Sequence, residues 1–523
     1  MVYKQKLTEL LKNINYLKIT GYTDIEIVSI EYDSRKIESA GTAFFALSGI
    51  HTDGKKFIGS AIQKGASCIF YEGELSEFKK DICYIQVKNI RKIMADFSAA
   101  FYKIPSADLG VIGVTGTEGK SSTVSFIFQL LNLCGKKTGF FSTVEYSAGN
   151  TVIPNPEHQT TPESNIVQKH LSRMRDEKCL YAVVETSSHG LSSKTARLEN
   201  VFFDVGIFMN VTQEHLEFHK TLEQYRNDKA NLFRALDLPR PLKKKEIPVF
   251  GIVNYDDKYA KYFINATKQK VYPFSTNPEY IEEIKENNGV FAENILETQE
   301  GINFTLCSFL QNCEEKYNVK LNLKGIFNVK NILAAVITAN KIAGIELKQI
   351  VDKLQLIKPV KGRMMKIDEG QNFEVIIDYA HTPSSFMTVF PPIAERAKKT
   401  NKKVICVFGS GGERDLQKRP EQGRIASIYS DIIILADEDP RGENPYELLE
   451  MIAKGCINKN LNKNLFIIPD RYEALRQSFR LAEQGDIVLL LGKGHENSII
   501  YKDKTIPYDE ETAARNILKE IQN

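Results

Sequence analysis

Short apolar runs that end in polar or glycine residues recur through the middle of the chain. The clearest are VIGVTG, YAVVETSS, VGIFMNVT and VFGIVNYDD, and GIFNVKNILAAVITANKIAG then shows apolar positions at helical spacing. Runs of this kind are typical of buried strands in a mostly parallel sheet, where ligands bind at the carboxyl ends of the strands. The pattern therefore predicts a central α/β domain.

Similar series lie on either side of this region. FEVIIDYAH, KKVICVFGSGG, DIIILADEDPRG, NLFIIPD and DIVLLLGKGHE follow it, and IEIVSIEYDSR, TAFFAL and FIGSAIQKGASCIFY precede it. The first set predicts a second doubly wound domain, and the other a small α/β domain. We expect an α/β protein of three domains, at residues 1–107, 108–356 and 357–523.

Composition narrows the class of protein. The 69 basic and 66 acidic residues leave a net charge of +3, so nothing indicates nucleic-acid binding. No apolar run reaches the ~18 residues of a membrane span, and the first residues do not resemble a signal peptide. The eight cysteines form no C-x-x-C pair, and several of them, such as Cys68 and Cys406, lie in apolar strand-like runs. These cysteines are predicted to be small buried residues in a reducing compartment. A cytoplasmic location is expected.

The segment TGTEGKSS, Thr115 to Ser122, joins the first central strand to a helix. Such a turn directs backbone N–H groups and a helix dipole at a phosphate. Lys120 would reach the β- and γ-phosphates, and Ser121 would bind Mg²⁺. Val114 stands where the strict phosphate-loop pattern has glycine, so a generic glycine turn remains the alternative.

Two other motifs carry candidate metal ligands. YAVVETSSHG brings Glu185 to the end of a strand, where a phosphate site needs a further ligand, although a capped loop is an equal alternative. NVTQEHLEFHKTLEQYRNDKANLF contains His215, His219 and Lys229, and the zinc-protease motif H-E-x-x-H is absent from it. Taken alone, Lys229 reads as a surface lysine.

The last region has polar and turn residues after each strand. They occur in KGRMM, DYAHTP, FGSGGERDLQKRP, DEDPRGENP and LGKGHE. Since the carboxyl ends of parallel strands meet at one sheet edge, these residues would converge on one crevice.

The ordered set TGTEGKSS, ETSSHGL, NVTQEHLEFH, GRM, DYAHTP, GGERD, DPRGENP and GKGHE resembles the Mur ligase family. The N-terminal DSRKIESAGTAFFALSGIHTDGKKFI resembles most closely its tripeptide-synthetase branch. The resemblance implies an N-terminal UDP-substrate domain, a central ATP-binding domain and a C-terminal Rossmann-like, amino-acid-binding domain. It also implies a monomer that uses ATP and Mg²⁺ to join an amino acid to UDP-MurNAc-L-Ala-D-Glu through an acyl phosphate, in peptidoglycan precursor synthesis.

The resemblance assigns roles to residues that stand at the motif positions. The catalytic set is Lys120, Glu185, His215 and Lys229. The ATP-binding set is Gly116, Thr117, Glu118, Gly119, Lys120, Ser121, Ser122, Asn331, Arg363, Asp378 and His381. The UDP-substrate set is Tyr32, Ser34, Ile50, His51, Thr52, Gln159, Thr160, Thr161, Ser187 and Arg197. The amino-acid set is Arg414, Glu438, Asp439, Pro440, Arg441, Gly492 and Glu496.

The implied Mg²⁺ ligands are Ser121, Glu185, His215 and Lys229, the last as a CO₂-derived carbamate. The chemistry of this assignment is sound because a free ammonium would repel Mg²⁺. A lysine carbamate instead offers anionic oxygens to a hard cation.

The identity of the amino acid depends on Asp439, which replaces the asparagine of the diaminopimelate-type motif DNPR. Paired with Arg441, Asp439 would cancel the charge that binds a second substrate carboxylate. Together with Glu438 and Glu496 it would also favour a terminal ammonium. We therefore expect L-lysine or L-ornithine, with meso-diaminopimelate as the alternative because Arg441 is retained.

Two alternatives to this ligase remain open. A folylpolyglutamate-synthase-like ligase shares the loop and the domain plan, but DSR…GIHTDG and DPRGENP speak against it. A nucleotide-binding regulator or scaffold would leave the strand-end residues of the last region without a purpose.

Overall fold

The computed structural model describes residues 3–49, 52–155, 157, 159–212, 216–240, 243–298, 300–311 and 313–522. Contacts divide the chain into two compact units. The first contains Met1–Phe291, Ser308–Glu314 and Ile332–Ile350. The second contains Ala292–Cys307, Glu315–Asn331 and Val351–Asn523. The three domain boundaries expected from the sequence remain a prediction.

The N-terminal part of the first unit is a small α/β layer. Its strands are β1 (Gln5–Lys6), β2 (Lys18–Thr20), β3 (Glu26–Ile27), β4 (Ser29–Glu31), β5 (Thr42–Phe45), β6 (Ala66–Tyr71) and β7 (Cys83–Gln86). Its helices are α1 (Leu7–Leu10), α2 (Ile58–Gln63) and α3 (Ile90–Phe101). The sheet order is β2-β7-β6-β5-β4, with β4 to β7 parallel and β2 antiparallel to β7.

The rest of the first unit is built on a larger, mostly parallel sheet. Its strands are β8 (Gly110–Thr115), β9 (Thr138–Phe141), β10 (Glu145–Ser147), β11 (Ile153–Pro154), β12 (Tyr181–Glu185), β13 (Val205–Phe208), β14 (Phe250–Asn254), β15 (Val271–Ser275) and the first two residues of β16 (Val290–Glu297). In the sheet they run in the order β11-β10-β9-β12-β8-β13-β14-β15-β16. Strands β9, β12, β8, β13, β14 and β15 are parallel, whereas β10 is antiparallel to both of its neighbours. This confirms the predicted strands.

Helices follow these strands along the chain. They are α4 (Lys120–Leu133), α5 (Ser164–Asp176), α6 (Ser188–Leu191), α7 (Leu216–His219), α8 (Leu222–Ala235), α9 (Ala260–Ile264), α10 (Ile281–Glu286), α11 (Asn328–Ala343) and α12 (Leu347–Leu354). Helix α8 packs very closely on β8. A Cβ atom at Gly113 would lie only 2.5 Å from Leu232 Cδ1, which is too close for a side chain there. Glycine at this position thus lets the helix that carries Lys229 approach the strand that precedes the phosphate loop.

The second unit contains its own parallel sheet. The strands of this unit are β17 (Ile302–Ser308), β18 (Glu315–Leu321), β19 (Met365–Ile367), β20 (Glu374–Asp378), β21 (Val404–Phe408), β22 (Ile432–Leu435), β23 (Leu465–Ile467), β24 (Ile487–Leu491), β25 (Ser498–Ile500) and β26 (Thr505–Pro507). Strands β19 to β24 form this sheet, and β25 and β26 form a separate antiparallel pair. Its helices are α13 (Pro383–Lys399), α14 (Lys418–Tyr429), α15 (Pro445–Ala453), α16 (Arg471–Leu481) and α17 (Glu510–Gln522). The order is β19-β20-β24-β21-β22-β23, and only β19 of these is antiparallel. The predicted doubly wound fold is confirmed.

Two expectations from composition can be compared with the fold. Among the described helices, none combines the length and the hydropathy that crossing a membrane requires. All eight cysteines are free thiols, and Cys313 alone is exposed. Cys68 and Cys406 lie in buried strand positions, as the sequence indicated.

Candidate active site

Adjacent parallel strands of the first unit deliver polar residues to one sheet edge. In the order β9-β12-β8-β13, these strands are followed by or end in Thr143, Glu185, the turn 116–119 and Asn210. Parallel neighbours place such residues side by side, as the sequence pattern predicted.

The turn after β8 has the geometry of a phosphate loop. Gly119 has φ 82°, and helix α4 begins at Lys120 directly after it. Lys120 Nζ donates to Thr117 O at 2.6 Å. Asn210 Oδ1 accepts from the N–H groups of Thr117 and Glu118 at 3.0 and 2.8 Å, and its Nδ2 donates to Glu118 O. Asn210 therefore fixes the loop. In the sequence it is only a single amide after an apolar strand, which is not a distinctive motif.

Glu185 lies at the centre of this edge and is 1% exposed. Its carboxylate accepts from Ser121 Oγ at 3.0 and 3.1 Å, from Thr143 N at 2.7 Å and from Thr143 Oγ1 at 3.1 Å. A hydroxyl beside a carboxylate is the oxygen donor set that Mg²⁺ prefers. Thr143 was not predicted, and only its place after an apolar strand would have drawn attention to it.

The other two implied Mg²⁺ ligands are His215 and Lys229. His215 lies outside the described residues, and within the described part of the chain no group of three His, Cys, Asp or Glu residues could hold a metal. Lys229 is 1% exposed, and its Nζ donates to Gly116 O at 2.6 Å. The alternative that Lys229 is a surface lysine is wrong because α8 packs it against the phosphate loop. The Lys229 carbamate remains a prediction.

Several residues of the UDP-substrate set lie beside Glu185. Thr161 Oγ1 donates to Glu185 O at 2.9 Å and accepts from Ser187 N at 2.9 Å. Arg197 donates to Thr161 O at 3.0 Å and to Glu163 Oε1 at 3.0 and 3.2 Å. Glu163, which the sequence analysis did not single out, thus holds the Arg197 guanidinium in place.

The other members of this set precede Thr161 in the sequence. Thr160 Oγ1 accepts from Thr143 Oγ1 at 3.1 Å. Tyr32 is half-buried, and burial raises the pKa of its hydroxyl to about 12. The remaining members are Ser34, which is buried, Thr52 and Gln159, which are exposed, and Ile50 and His51, which lie outside the described residues. Their contact with a UDP-substrate remains a prediction.

The second unit carries the other residues of the ATP-binding set. Asp378 accepts from the N–H groups of Met364 and Ala380 at 2.8 Å, and burial raises the pKa of its carboxyl. The Arg363 guanidinium lies 4.7 Å from the Tyr379 ring centroid. The other two members are His381, whose Nδ1 lies 2.9 Å from Tyr379 O, and Asn331, which donates to Asn328 Oδ1 at 2.8 Å. Their approach to a nucleotide remains a prediction.

The expected pair between Asp439 and Arg441 is wrong. Lys493, which is fully buried, donates from Nζ to Asp439 Oδ1 at 2.9 Å and to Glu496 Oε2 at 2.7 Å. Arg441 instead donates to Gly412 O at 3.4 Å. The reason is the chain path: the turn after β24 brings Lys493 to Asp439, whereas a left-handed backbone at Arg441 (φ 53°) redirects the chain there.

Other residues of the amino-acid set leave polar groups unsatisfied. Glu438 Oε2 is buried without a hydrogen-bond partner among the described residues, and a Cβ at Gly492 would lie 2.8 Å from it. Burial raises the pKa of Glu496. Pro440 is buried and Arg414 is exposed. Other buried polar atoms of this unit that lack a hydrogen-bond partner in the described chain include Ser410 Oγ, Asp437 Oδ1, Arg363 Nε and His495 Nδ1.

Comparison with protein families matches three models along the chain. The Mur ligase middle domain covers residues 114–339, the Mur ligase glutamate ligase domain 362–494, and the Mur ligase family catalytic domain 26–102. The chain belongs to the Mur ligase family and is an ATP-dependent ligase.

Individual relatives agree with this assignment. A UDP-N-acetylmuramyl-tripeptide synthetase of Treponema denticola is 63% identical, with 99% of this chain and 98% of that protein covered. A UDP-N-acetylmuramoyl-L-alanyl-D-glutamate–2,6-diaminopimelate ligase of Geobacillus kaustophilus is 37% identical, with 98% and 99% covered. A solved structure of a ligase of the latter name is 26% identical over both whole chains, with a TM-score of 0.61. The fold of Thermotoga maritima MurF with ADP matches at a TM-score of 0.60 and 18% identity, with 94% of this chain and 96% of that chain covered.

Proposed function

We propose that the chain is a UDP-N-acetylmuramyl-tripeptide synthetase that joins a diamino acid to UDP-MurNAc-L-Ala-D-Glu at the expense of ATP. The observation that carries the proposal is the edge where Lys120, Ser121 and Glu185 meet beside Thr161 and Ser187. This arrangement supports the binding of a nucleotide phosphate next to a substrate carboxylate. The Treponema denticola relative, 63% identical over nearly the whole chain, bears the name of this activity.

The reaction follows from this juxtaposition. The substrate carboxylate attacks the γ-phosphorus of ATP, the bond to the β-phosphate oxygen breaks, and an acyl phosphate and ADP form. The amine of the amino acid then attacks the acyl carbon, loses a proton and displaces inorganic phosphate. Lys120 would leave Thr117 O to stabilise the charge on the transferring phosphoryl group.

Mg²⁺ fits this site on the chemistry of its donors. Ser121 and Glu185 are hard oxygen ligands in mutual contact, and Lys229 reaches the same loop. When bound, the ion would neutralise charge on the phosphate oxygens. Lys229 would join this set as a carbamate, and His215 would complete it.

For the amino acid we favour L-lysine or L-ornithine. Asp439 and Glu496 both pair with the single ammonium of Lys493, and burial together with the negative charge of Glu438 raises the pKa of Glu496. Glu438 Oε2 also lacks a partner among the described residues. A substrate ammonium would satisfy this oxygen and balance the excess negative charge. Lysine and ornithine differ by one methylene, worth about 1–3 kcal/mol in a fitted pocket.

Meso-diaminopimelate is the second candidate. Arg441 makes no ion pair with a carboxylate in the described part of the chain, so its guanidinium could fork onto a second substrate carboxylate. The Geobacillus kaustophilus relative, 37% identical, is named as a diaminopimelate ligase.

The test is ADP formation with UDP-MurNAc-L-Ala-D-Glu and each of L-lysine, L-ornithine and meso-diaminopimelate. We expect turnover that requires all substrates, with a higher kcat/KM for a substrate that ends in a bare ammonium. Preference for meso-diaminopimelate would overturn the amino-acid assignment alone. Turnover of a folate substrate instead would favour a folylpolyglutamate synthase, and nucleotide binding without amide formation would favour a regulator.

A further inference from the structure

A buried hydrogen-bond chain links Ser188, His219 and Asp228 behind the phosphate-loop edge. His219 Nδ1 lies 2.9 Å from Asp228 Oδ2, and His219 Nε2 lies 3.0 Å from Ser188 Oγ. Gln224 Nε2 donates to Asp228 Oδ1 at 2.9 Å. The three residues are 1–3% exposed, so no substrate carbonyl can reach Ser188 and the chain is not a hydrolase triad.

This series of hydrogen bonds connects the secondary-structure elements that carry two of the proposed metal ligands, Glu185 and Lys229. Ser188 opens α6, three residues after Glu185 at the end of β12. Asp228 lies on α8 directly before Lys229. His219 ends α7 and contacts both of these elements. The His219 ring therefore links the segment that follows β12 to α8, and it limits how α8 can rotate about its own helix axis.

A histidine suits this role because its two ring nitrogens act in opposite senses. The Asp228 carboxylate accepts, so Nδ1 carries the proton and donates to it. In the neutral form of the ring, Nε2 then accepts from the Ser188 hydroxyl, 3.0 Å away. Asparagine could keep only the bond to Asp228, and glutamine only the bond to Ser188.

We infer that His219 is a positioning residue, which holds Glu185 and Lys229 at the separation that a shared metal ion requires. The inference rests on the proposed function for the metal-binding roles of these two residues. Removing groups that orient metal ligands typically weakens metal affinity by about 10–100-fold. His219 itself touches neither substrate nor metal in this account.

The test measures the affinity of the full chain for Mn²⁺ in the presence of ADP, by electron paramagnetic resonance. We expect His219→Ala to weaken Mn²⁺ binding by about 10–100-fold, and His219→Asn and His219→Gln by less. Ser188→Ala should weaken it further in the His219→Gln background and not in the His219→Asn background, because the asparagine has already lost that bond.

His170→Gln is the matched control. His170 is also a buried histidine of the first unit, and its ring lies 4.2 Å from that of Tyr146. It should lower the unfolding temperature without changing Mn²⁺ affinity. The inference is overturned if His219→Ala lowers the unfolding temperature but leaves Mn²⁺ affinity unchanged, as this control is expected to do.

The ligase assay separates this result from the proposed function. An active wild type whose His219 variants bind Mn²⁺ normally would overturn only the inference. A wild type that makes no tripeptide, but shows the expected His219 dependence of Mn²⁺ binding, would overturn only the choice of substrates. A wild type that binds no Mn²⁺ with ADP would overturn both the metal roles and the inference.

Discussion

The two sheet edges of the molecule are similar in topology and differ in how their polar groups are satisfied. In the first unit, Lys120 and Lys229 donate to backbone oxygens of the phosphate loop, and Glu185 accepts from Ser121 and Thr143. In the second unit, Lys493 satisfies Asp439 and Glu496, while Glu438 Oε2 has no partner in the described structure.

This difference indicates different tasks for the two edges. A ligand at the phosphate loop exchanges one set of hydrogen bonds for another, and each exchange contributes only about 0.5–1.5 kcal/mol net. A ligand that satisfies Glu438 removes the penalty of an unpaired buried group, about 1–3 kcal/mol or more for a charge. The first edge is therefore suited to transition-state stabilisation, and the second to selecting between amino acids.

Among the substitutions at the first edge, replacing Lys120 should cause the largest loss of turnover. Lys120→Ala removes the cation that would face the transferring phosphoryl group, so we expect about a thousandfold loss of kcat, or about 4 kcal/mol. ADP formation in a single turnover measures this. The control is Lys261→Ala, an exposed lysine on α9 of the same unit. Near wild-type turnover of Lys120→Ala would mean that the phosphate-loop assignment is wrong.

Replacing Lys229 should reduce turnover by about 10²–10³-fold, because it would remove an anionic metal ligand. If that ligand is a carbamate, short carboxylic acids added to Lys229→Ala should restore part of the activity by supplying oxygens in its place. Carbon-13 NMR of the wild type in labelled bicarbonate should show a carbamate carbon that is absent from the variant. Lack of both the rescue and the resonance would contradict carbamoylation.

Much of the first edge could be predicted from the sequence because the residues that form it follow one another closely along the chain. An apolar strand, a glycine turn and a lysine follow one another directly, and the carboxyl ends of parallel strands must share an edge. The same reasoning brought Glu185 to that edge without any knowledge of its partners. Burial of Lys229 followed only from the family resemblance, since helical spacing alone equally allows a surface position.

The partners of the second edge could not be predicted in this way. Asp439 and Lys493 are 54 residues apart, and their pairing depends on how the turns after β22 and β24 approach each other. Asp439 and Arg441 are close together in the motif, and for that reason they were predicted to pair, but their side chains have other partners. Thr143 and Asn210 were missed because one hydroxyl or amide after a strand has no distinctive motif.

Neutralising Glu438 should sharpen the contrast between the edges. Glu438→Gln keeps the shape but removes the charge, so KM for L-lysine or L-ornithine should rise about tenfold, or about 1.4 kcal/mol. The kcat/KM for meso-diaminopimelate should fall less. The exposed Glu447→Gln on α15 is the control. An equal loss for all three amino acids would show that Glu438 does not discriminate between them.

Asp439→Asn should have a smaller effect in the same direction. Lys493 would keep Glu496 as its partner, and the subsite would lose one of its three negative charges. We expect the preference between terminal ammonium and meso-diaminopimelate to move about threefold toward the latter, measured by competition between the substrates. An unchanged ranking would contradict the charge account even if the substrate itself is right.

Glu31 allows a test away from both edges. Burial raises the pKa of its carboxyl from the ordinary 4.5 to about 7, with Asp33 and Glu157 adding to the rise and Lys169 and Lys36 opposing it. Its Oε2 has no hydrogen-bond partner within the described residues. The folded chain thus binds this proton more tightly than the unfolded chain does. Stability from Glu31 is complete below about pH 4.5 and is lost as pH rises through about 7.

Glu31→Gln should remove this dependence on pH. The variant should be more stable than the wild type at pH 8, by at most about 3 kcal/mol, because one pKa unit corresponds to about 1.4 kcal/mol. The difference should shrink toward pH 5. Unfolding temperatures of the first transition at both pH values measure it, with the exposed Glu26→Gln on β3 as the control. A gain that is equal at pH 5 and pH 8 would mean that packing rather than ionisation is responsible. No gain at pH 8 would mean that Glu31 keeps an ordinary pKa, and that water reaches its carboxylate as it reaches the groups of an open ligand site.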